Sequence, residues 1–366
     1  MLEHSFTQKI IEQLFEHTGI AGKELIRQSP LLHYINLKTK SANRGSKSRG
    51  SFANLYAIYV LVEDYIKVSE TQEYAKYEGA IFSDLFSRQR ELPFGAKLQN
   101  HALNHRLNEE FHKYFPTLQS QVIMREKSRY WINTFFLEVM IDGKKYNLSR
   151  AIISIIDLYI EEKRNAFERF IKVCEGLQTL ESKDSGKASE FILGLLKPNV
   201  DARLFEIVSF SILKYFYHNQ KIFWGFRKED LTEENLTLYK TGRTNANDGG
   251  IDFVMRPLGR FFQVTETLDV KKYFLDIDKL EHYPIIFVIK TEEEIQTVKD
   301  KLRSTAMQQF GIEKIVEKYM ACIEEIITIP ILATYFHHAI SEGNLAYILH
   351  EIVNQSKLEF NYEADE

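Results

Sequence analysis

The sequence contains few cysteines, no long apolar run and no excess of positive charge. Cys174 and Cys322 are the only two cysteines in 366 residues, which excludes a disulfide scaffold and a cysteine-ligated zinc site. No stretch approaches the 18 apolar residues of a membrane span. The net charge of −4 shows that the chain is not globally basic, so any nucleic-acid partner requires a local basic surface.

Several catalytic and targeting motifs are also missing. The segment Gly19–Glu24 (GIAGKE) lacks the spacing of a P-loop and its final Ser or Thr, so no nucleotide cofactor is expected. His101 and His105 have the i, i+4 spacing of a zinc pair, but alanine follows His101 and the metalloprotease pattern is absent. The first residues lack the basic and apolar regions of a signal peptide, and the expected location is the reducing cytoplasm.

The length and composition instead favour two packed domains. A chain of 366 residues with 44% hydrophobic and 13% aromatic residues can bury a large core. The segment Leu180–Lys187 is small and polar and is the best candidate linker. We therefore expect an N-terminal recognition region at 1–185 and a catalytic region at 186–366.

The N-terminal region is predicted to be mainly helical and carries one strongly basic segment. Residues 38–49 (KTKSANRGSKSR) read as a mobile loop that suits sequence-independent phosphate contact. Asn43 and Arg44 are also candidate base readers, and a solvated loop without a partner is the open alternative. The predicted DNA-contacting residues are Lys38, Lys40, Arg44, Lys47 and Arg49. Downstream we expect a helix or another long buried element at Ala53–Lys67, a hairpin at 135–148 with an Asp142-Gly143 turn, and a helix at 150–177 capped by Ser149.

The segment Asn247–Glu266 (NDGGIDFVMRPLGRFFQVTE) reads as a β-hairpin with polar groups along one edge. Its first strand contains Asp252, and the turn contains Pro257 and Gly259. Side chains alternate along a strand, so Phe262 and Val264 point to one face, and Gln263 and Thr265 to the other. Oxygen atoms of this kind can hold Mg²⁺ at a sheet edge, and a solvated polar hairpin is the alternative.

A helix with a candidate acid precedes this hairpin. Asp201 is a good N-cap, and apolar residues recur at helical spacing through Tyr215. Glu206 lies near the edge of that apolar stripe. It is either a third ligand for the metal or an ordinary solvated acid.

The helix and the hairpin together resemble the PD-(D/E)XK nuclease superfamily, which includes many type II restriction endonucleases. The resemblance covers about residues 198–295. Glu206 matches the helix acid, Asp252 the strand acid and Gln263 the Gln of a methylation-dependent subgroup, to which the Asp248–Asp252 run is similar. Thr265 stands where the family has lysine. Glu266, Lys271 or Lys272 are the residues considered as replacements for that lysine, with Glu266 less favoured because it points to the opposite face.

The following segment suits the same core. Asp269–His282 is amphipathic, Ile285–Ile289 is a continuous apolar run, and Thr291 is expected to cap a further helix. Alternating helices and strands predict an α/β fold with a mixed β-sheet flanked by helices.

The resemblance implies a site-specific endodeoxyribonuclease of a restriction–modification system. Asp252, Gln263 and Glu206 would bind Mg²⁺, Thr265 would replace the usual lysine, and the substrate would be double-stranded DNA cut by a homodimer. The alternatives are a catalytically inactive DNA-binding protein on the same fold and a repair or methylation-dependent nuclease.

Overall fold

The computed structural model describes residues 5–39, 48–71, 74, 77–96, 98–179, 185–241 and 251–360. The chain forms two compact units; the second comprises Ile171–Glu359, and its first boundary falls between Phe170 and Ile171. This point lies inside a continuous helix, upstream of the expected boundary at 185/186. The predicted linker instead connects two helices of the second unit, and most of it lies outside the described residues.

The first unit is mainly helical, as predicted, with short antiparallel strands. Its helices are α1 (Ser5–Phe15), α2 (Gly22–Gln28), α3 (Pro30–Thr39), α4 (Ser48–Thr71), α5 (Phe82–Glu91), α6 (Leu107–Tyr114) and the first part of α7 (Ser149–Thr179). Short 3₁₀ turns cover Glu16–Thr18 and Thr134–Leu137, and a π-helical turn covers Ala102–Arg106. Its strands are β1 (Ala80–Ile81), β2 (Ile123–Glu126), β3 (Arg129–Ile132), β4 (Glu138–Ile141) and β5 (Lys144–Asn147).

The local signals in this unit were mostly read correctly. The hairpin forms between β4 and β5, and positive φ angles at Asp142 (50°) and Gly143 (75°) suit its two-residue turn. The predicted helices at 53–67 and 150–177 lie within α4 and α7. The expected cap was wrong by two residues, because Asn147 Oδ1 accepts the Ser149 N–H at 2.9 Å.

The second unit contains a five-stranded mixed sheet. Its helices are the end of α7, α8 (Ser185–Leu195), α9 (Ala202–Tyr217), α10 (Val270–Lys279), α11 (Ile295–Phe310), α12 (Glu313–Ala321), α13 (Ile329–Ser341) and α14 (Leu345–Phe360). A separate hairpin pairs β6 (Lys221–Trp224) with β7 (Thr232–Asn235), and a 3₁₀ turn covers Lys228–Asp230. The main sheet contains β8 (Thr237–Lys240), β9 (Phe253–Arg256), β10 (Arg260–Thr265), β11 (Ile285–Ile289) and β12 (Ile323–Ile327).

The main sheet has the order β12-β11-β10-β9-β8 and confirms the predicted α/β class. β8, β9 and β10 pair antiparallel, whereas β10, β11 and β12 run parallel. All five residues of β11 are buried, as a continuous apolar run predicts for a strand covered on both faces. One face packs against α10, α11 and α12. The other receives α9, where the Phe210 ring lies 5.2 Å from that of Phe253.

One predicted helix start in this unit was wrong. α11 begins at Ile295 with Glu294 at its N-cap position, three residues after the expected cap. Thr291 Oγ1 instead accepts the Glu293 N–H at 3.2 Å, within a turn that precedes the helix. In the part of the chain that the structure describes, no helix has the length and apolarity needed to cross a membrane.

Candidate functional site

The predicted hairpin forms between β9 and β10 and provides the frame of the site. The two strands pair antiparallel, with Phe253 opposite Phe262. Gly259 closes the turn at a φ of 69°, a conformation that favours glycine. Phe262 is fully buried, and Gln263 and Thr265 are both buried on the opposite face, as the alternation predicted.

Asp252 lies just before β9 and contacts β10 through both its backbone and its side chain. Its N–H donates to the Phe262 carbonyl at 3.0 Å, and its Oδ2 accepts the Val264 N–H at 2.7 Å. These two bonds lie on either side of Gln263 in the chain. The structure therefore brings the predicted strand acid next to the predicted Gln, while Asp248, Gly249 and Gly250 lie outside the described residues.

The helix acid approaches the same place from α9. Asp201 caps this helix as predicted, because its side chain accepts the Arg203 N–H at 2.9 Å. Glu206 lies in the second turn and pairs with Lys240 of β8, with 2.9 Å between Nζ and Oε1. Both side chains are largely buried, with exposed fractions of 14% for Glu206 and 16% for Lys240. Glu206 is therefore not the ordinary solvated acid of the alternative interpretation.

Glu206 is close enough to influence the ionisation of Asp252. Burial and the negative charge of Glu206 raise the pKa of Asp252 to about 7, against the opposing effects of the Val264 N–H, Lys272 and Lys240. A carboxyl group that titrates near neutral pH, beside a second carboxylate, is more common at functional sites than elsewhere. The pair thus forms a cluster of negative charge that a cation would stabilise.

The buried amide of Gln263 offers a third oxygen. Its Oε1 has no hydrogen-bond partner among the described residues, and its Nε2 makes one long contact of 3.5 Å to the Val264 carbonyl. A buried acceptor without a partner costs about 1–3 kcal/mol, which a bound cation or donor would recover. Two carboxylates and an amide oxygen fit the ligand preference of Mg²⁺. Within the described residues, no three His, Cys, Asp or Glu side chains group as a metal site, so a cation here would depend on Gln263.

Thr265 is enclosed and does not resemble an open position for a lysine. It is 4% exposed, and its hydroxyl donates to the Thr267 carbonyl at 3.2 Å. Position 265 therefore has no open space for a longer polar side chain. A lysine introduced there would place its charge in a closed space.

The lysines near the site come from other elements. Lys240 contacts Glu206, as described above, and Lys272 is exposed on α10 yet near enough to lower the pKa of Asp252. Lys290, directly after β11, is buried; its ammonium donates to the Val200 carbonyl and pairs with Glu266 at 2.7 Å. The sequence reading missed Lys240 and Lys290. The sequence did contain a signal for them. Lys240 is the last residue of β8 and Lys290 directly follows β11, and both strands belong to the main sheet.

The predicted basic loop is helical at both ends. Lys38 lies in the last turn of α3 and Arg49 in the first turn of α4, while Lys40, Arg44 and Lys47 lie outside the described residues, as does Asn43. Lys38 points inward to an ion pair with Glu110, and its side chain is only 13% exposed. Burial, followed by the nearby Arg106, lowers the pKa of Lys38 to about 8. This position suits a structural ion pair better than the predicted phosphate contact.

The zinc alternative gains nothing from the structure. The rings of His101 and His105 lie 6.1 Å apart, centroid to centroid, around the π-helical turn. As noted above, the described residues include no group of three potential zinc ligands.

Comparisons with protein-family models, with curated proteins and with solved structures find no match for this chain. The geometry and chemistry of the site are therefore the features of this protein that bear on its function.

Proposed function

We propose that this protein is a Mg²⁺-dependent endodeoxyribonuclease of the type II restriction class, acting on a specific double-stranded DNA sequence. The observation that carries the proposal is the convergence of Glu206 and Asp252 beside the unpaired amide oxygen of Gln263. These are the three residues that the PD-(D/E)XK resemblance selects from the sequence. A homodimer in the reducing cytoplasm, cutting one strand per subunit, belongs to the same proposal.

The chemistry assigns a role to each side chain. Asp252 and Gln263 would hold the metal, and Glu206 would bind it or orient a water molecule. When bound, Mg²⁺ polarises the phosphate and lowers the pKa of a water molecule that attacks phosphorus. Asp252 must release its proton before it can act as a ligand, because its pKa lies near neutrality.

A lysine beside the acids would supply the positive charge that Thr265 cannot. Lys240 is the best placed, because its ammonium already contacts Glu206 within a largely buried pair. It would hold the Glu206 carboxylate in place and favour the ionised form of Asp252. Lys272 and Lys290 are weaker candidates, since the first is exposed and the second is already occupied by Glu266 and a carbonyl.

The same ion pair supports a second candidate function, a DNA-binding protein that has lost catalysis. In this interpretation Lys240 neutralises the acid cluster permanently and no metal is needed. The enclosed Thr265 favours this alternative. The two proposals differ in one measurable property, which is whether Mg²⁺ binds to the site.

The decisive experiment measures cleavage of plasmid and genomic DNA with Mg²⁺ and with EDTA. Wild-type protein should give discrete fragments only with Mg²⁺, and Asp252→Ala should give none while retaining its fold and DNA binding. Asp276→Asn is a matched control, because Asp276 is also a buried acid with a raised pKa but pairs with Lys279 on α10. This variant should cut normally.

Each other outcome selects an alternative. Unspecific degradation would indicate a repair-type nuclease, and cutting restricted to methylated DNA would indicate a methylation-dependent enzyme. Tight DNA binding without cleavage or Mg²⁺ binding would indicate the inactive protein. Normal cleavage by a folded Asp252→Ala variant would exclude this site altogether.

A further inference from the structure

A second feature of this unit is a solvent-exposed hairpin with exposed aromatic residues, here called the aromatic hairpin (residues 221–235). It consists of β6 and β7, which pair antiparallel, with Lys221 opposite Asn235 at one end and Trp224 opposite Thr232 at the other. Glycine is required at position 225, where the tip begins, because a Cβ atom there would lie 2.6 Å from the Asp230 carbonyl oxygen. The tip is therefore a defined structure with its own packing.

The aromatic hairpin exposes a large amount of apolar surface for so short an element. Phe226 is 98% exposed and Phe223 is 69% exposed, and Trp224 and Leu231 are partly exposed, at 39% and 48%. Scattered apolar residues are ordinary on a protein surface, but four large ones on one short hairpin are typical of an interaction site. Among the described residues, β6 and β7 form strand pairs only with each other. A two-stranded hairpin in water is marginally stable by itself, so a further strand would stabilise it.

The charges on the aromatic hairpin argue against a nucleic-acid partner. It carries more acids than bases, and a DNA backbone requires the reverse. The acids are Glu229, Asp230, Glu233 and Glu234, and the bases are Lys221, Arg227 and Lys228. A protein surface is the better match for an apolar patch with mixed charge.

The distribution of these charges selects one edge. The acids of the strands lie on β7, whereas β6 (KIFW) has none. Two β7 strands from different copies would bring Glu233 and Glu234 against their counterparts, and like charges opposite each other destabilise a sheet. Two β6 strands meet no such repulsion.

We infer that the free edge of β6 is a dimerisation surface, at which the β6 strand of a second copy pairs antiparallel. A two-fold axis perpendicular to the sheet keeps each side chain on its face, so a residue must pair with one of the same parity. An axis through Phe223 places the two Phe223 rings side by side and Ile222 opposite Trp224 of the second copy. The result is a four-stranded sheet with an apolar centre. This inference comes from the hairpin surface and does not depend on the proposed nuclease activity.

The first test is the oligomeric state of the full chain, measured by sedimentation equilibrium over a range of concentrations. Wild-type protein should dimerise. Phe223→Lys should raise the dimer dissociation constant by about thirtyfold or more, because it places two like charges at the centre of the interface. Phe135→Lys is the matched control, since Phe135 is 60% exposed but belongs to the first unit, and it should leave the constant unchanged.

The second test is disulfide crosslinking, which reports which residues face each other across the interface even if the substitution weakens the dimer. Phe223→Cys should form a disulfide-linked dimer under mild oxidation, because residues opposite each other on antiparallel strands lie at a distance that a disulfide can bridge. Phe226→Cys is more exposed but lies off the axis, and it should crosslink much more slowly. The native Cys174 and Cys322 are buried and give a low background.

Three results would overturn the inference. They are a wild-type protein that stays monomeric at all concentrations, a dimer that Phe223→Lys does not weaken, and equal crosslinking at positions 223 and 226. A monomer whose Phe223→Lys variant loses DNA binding would assign the surface to nucleic acid instead. A wild-type protein that forms a Phe223-dependent dimer but does not cleave DNA would count against the nuclease proposal alone.

Discussion

Replacing Asp252 with asparagine should stabilise the folded protein at pH 8 and, on the proposed function, abolish cleavage. The carboxyl group is held beside Glu206 in a poorly solvated position, and both factors disfavour its ionised form. Asparagine is neutral at every pH, and its side-chain oxygen can still accept the Val264 N–H. A site residue that reduces stability in its active form is a common compromise between stability and function.

The size and sign of the effect follow from the pKa of Asp252. It rises from 3.8 in the unfolded chain to about 7 in the folded protein. The carboxyl group therefore contributes stability that is fully present below about pH 4 and is lost as the pH rises through 7. Since a tenfold change in an equilibrium constant corresponds to about 1.4 kcal/mol, the loss at pH 8 is at most about 4 kcal/mol. Partial exposure of Asp252 reduces this, and we expect Asp252→Asn to gain about 1–3 kcal/mol.

The assay is urea unfolding of both proteins in EDTA at pH 8 and pH 4. The variant should be more stable at pH 8, and the difference should shrink towards pH 4. Asp300→Asn, which changes an exposed acid on α11, should show no such dependence on pH. Mg²⁺ should stabilise the wild type at pH 8 but not Asp252→Asn. Equal stability of wild type and Asp252→Asn at pH 8 would refute the electrostatic argument, whatever the activity.

Five further substitutions, grouped in three experiments, test the remaining assignments. Gln263→Ala should lower the cleavage rate more than about a hundredfold and Glu266→Gln only slightly; the reverse order in rate assays would show that Glu266 is the ligand. Lys240→Met should move the acidic limb of the pH–rate profile to higher pH, because a cation that favours the neighbouring carboxylate is lost; an unchanged limb would remove Lys240 from the site. Lys47→Gln should reduce the slope of log affinity against log salt by about 0.9, whereas Lys38→Gln should lower the unfolding midpoint and leave that slope unchanged, because Lys38 is committed to a buried ion pair.

Features set by neighbouring residues were predictable from the sequence. Asp201 caps α9 because its side chain reaches an N–H two positions away, and Gly259 closes the hairpin because its φ is positive. Alternation along β10 placed Phe262, Gln263 and Thr265 on the correct faces. These signals are local, so a single sequence contains them.

Features that depend on contacts between residues far apart in the chain could not be predicted from the sequence. Lys38 reads as part of a basic loop, but its partner Glu110 lies 72 positions away and holds it in the interior. The Lys240–Glu206 pair likewise joins a strand to a helix that precedes it, and no local pattern relates them. The prediction that Thr291 caps a helix was wrong for a different reason. A threonine side chain can close a turn by the same hydrogen bond with which it caps a helix.

The charge balance of the site explains why Thr265 does not decide the question of activity. Two carboxyl groups in a poorly solvated space cannot both ionise without a cation nearby, and Lys240 supplies one positive charge through Glu206. Asp252 then carries the remaining unfavourable charge, and Gln263 adds an oxygen with no partner among the described residues. A permanently inactive fold would gain stability from replacing Asp252 with a neutral residue and Gln263 with an apolar one. A divalent cation bound by Asp252 and Gln263 would offset both of these unfavourable contributions.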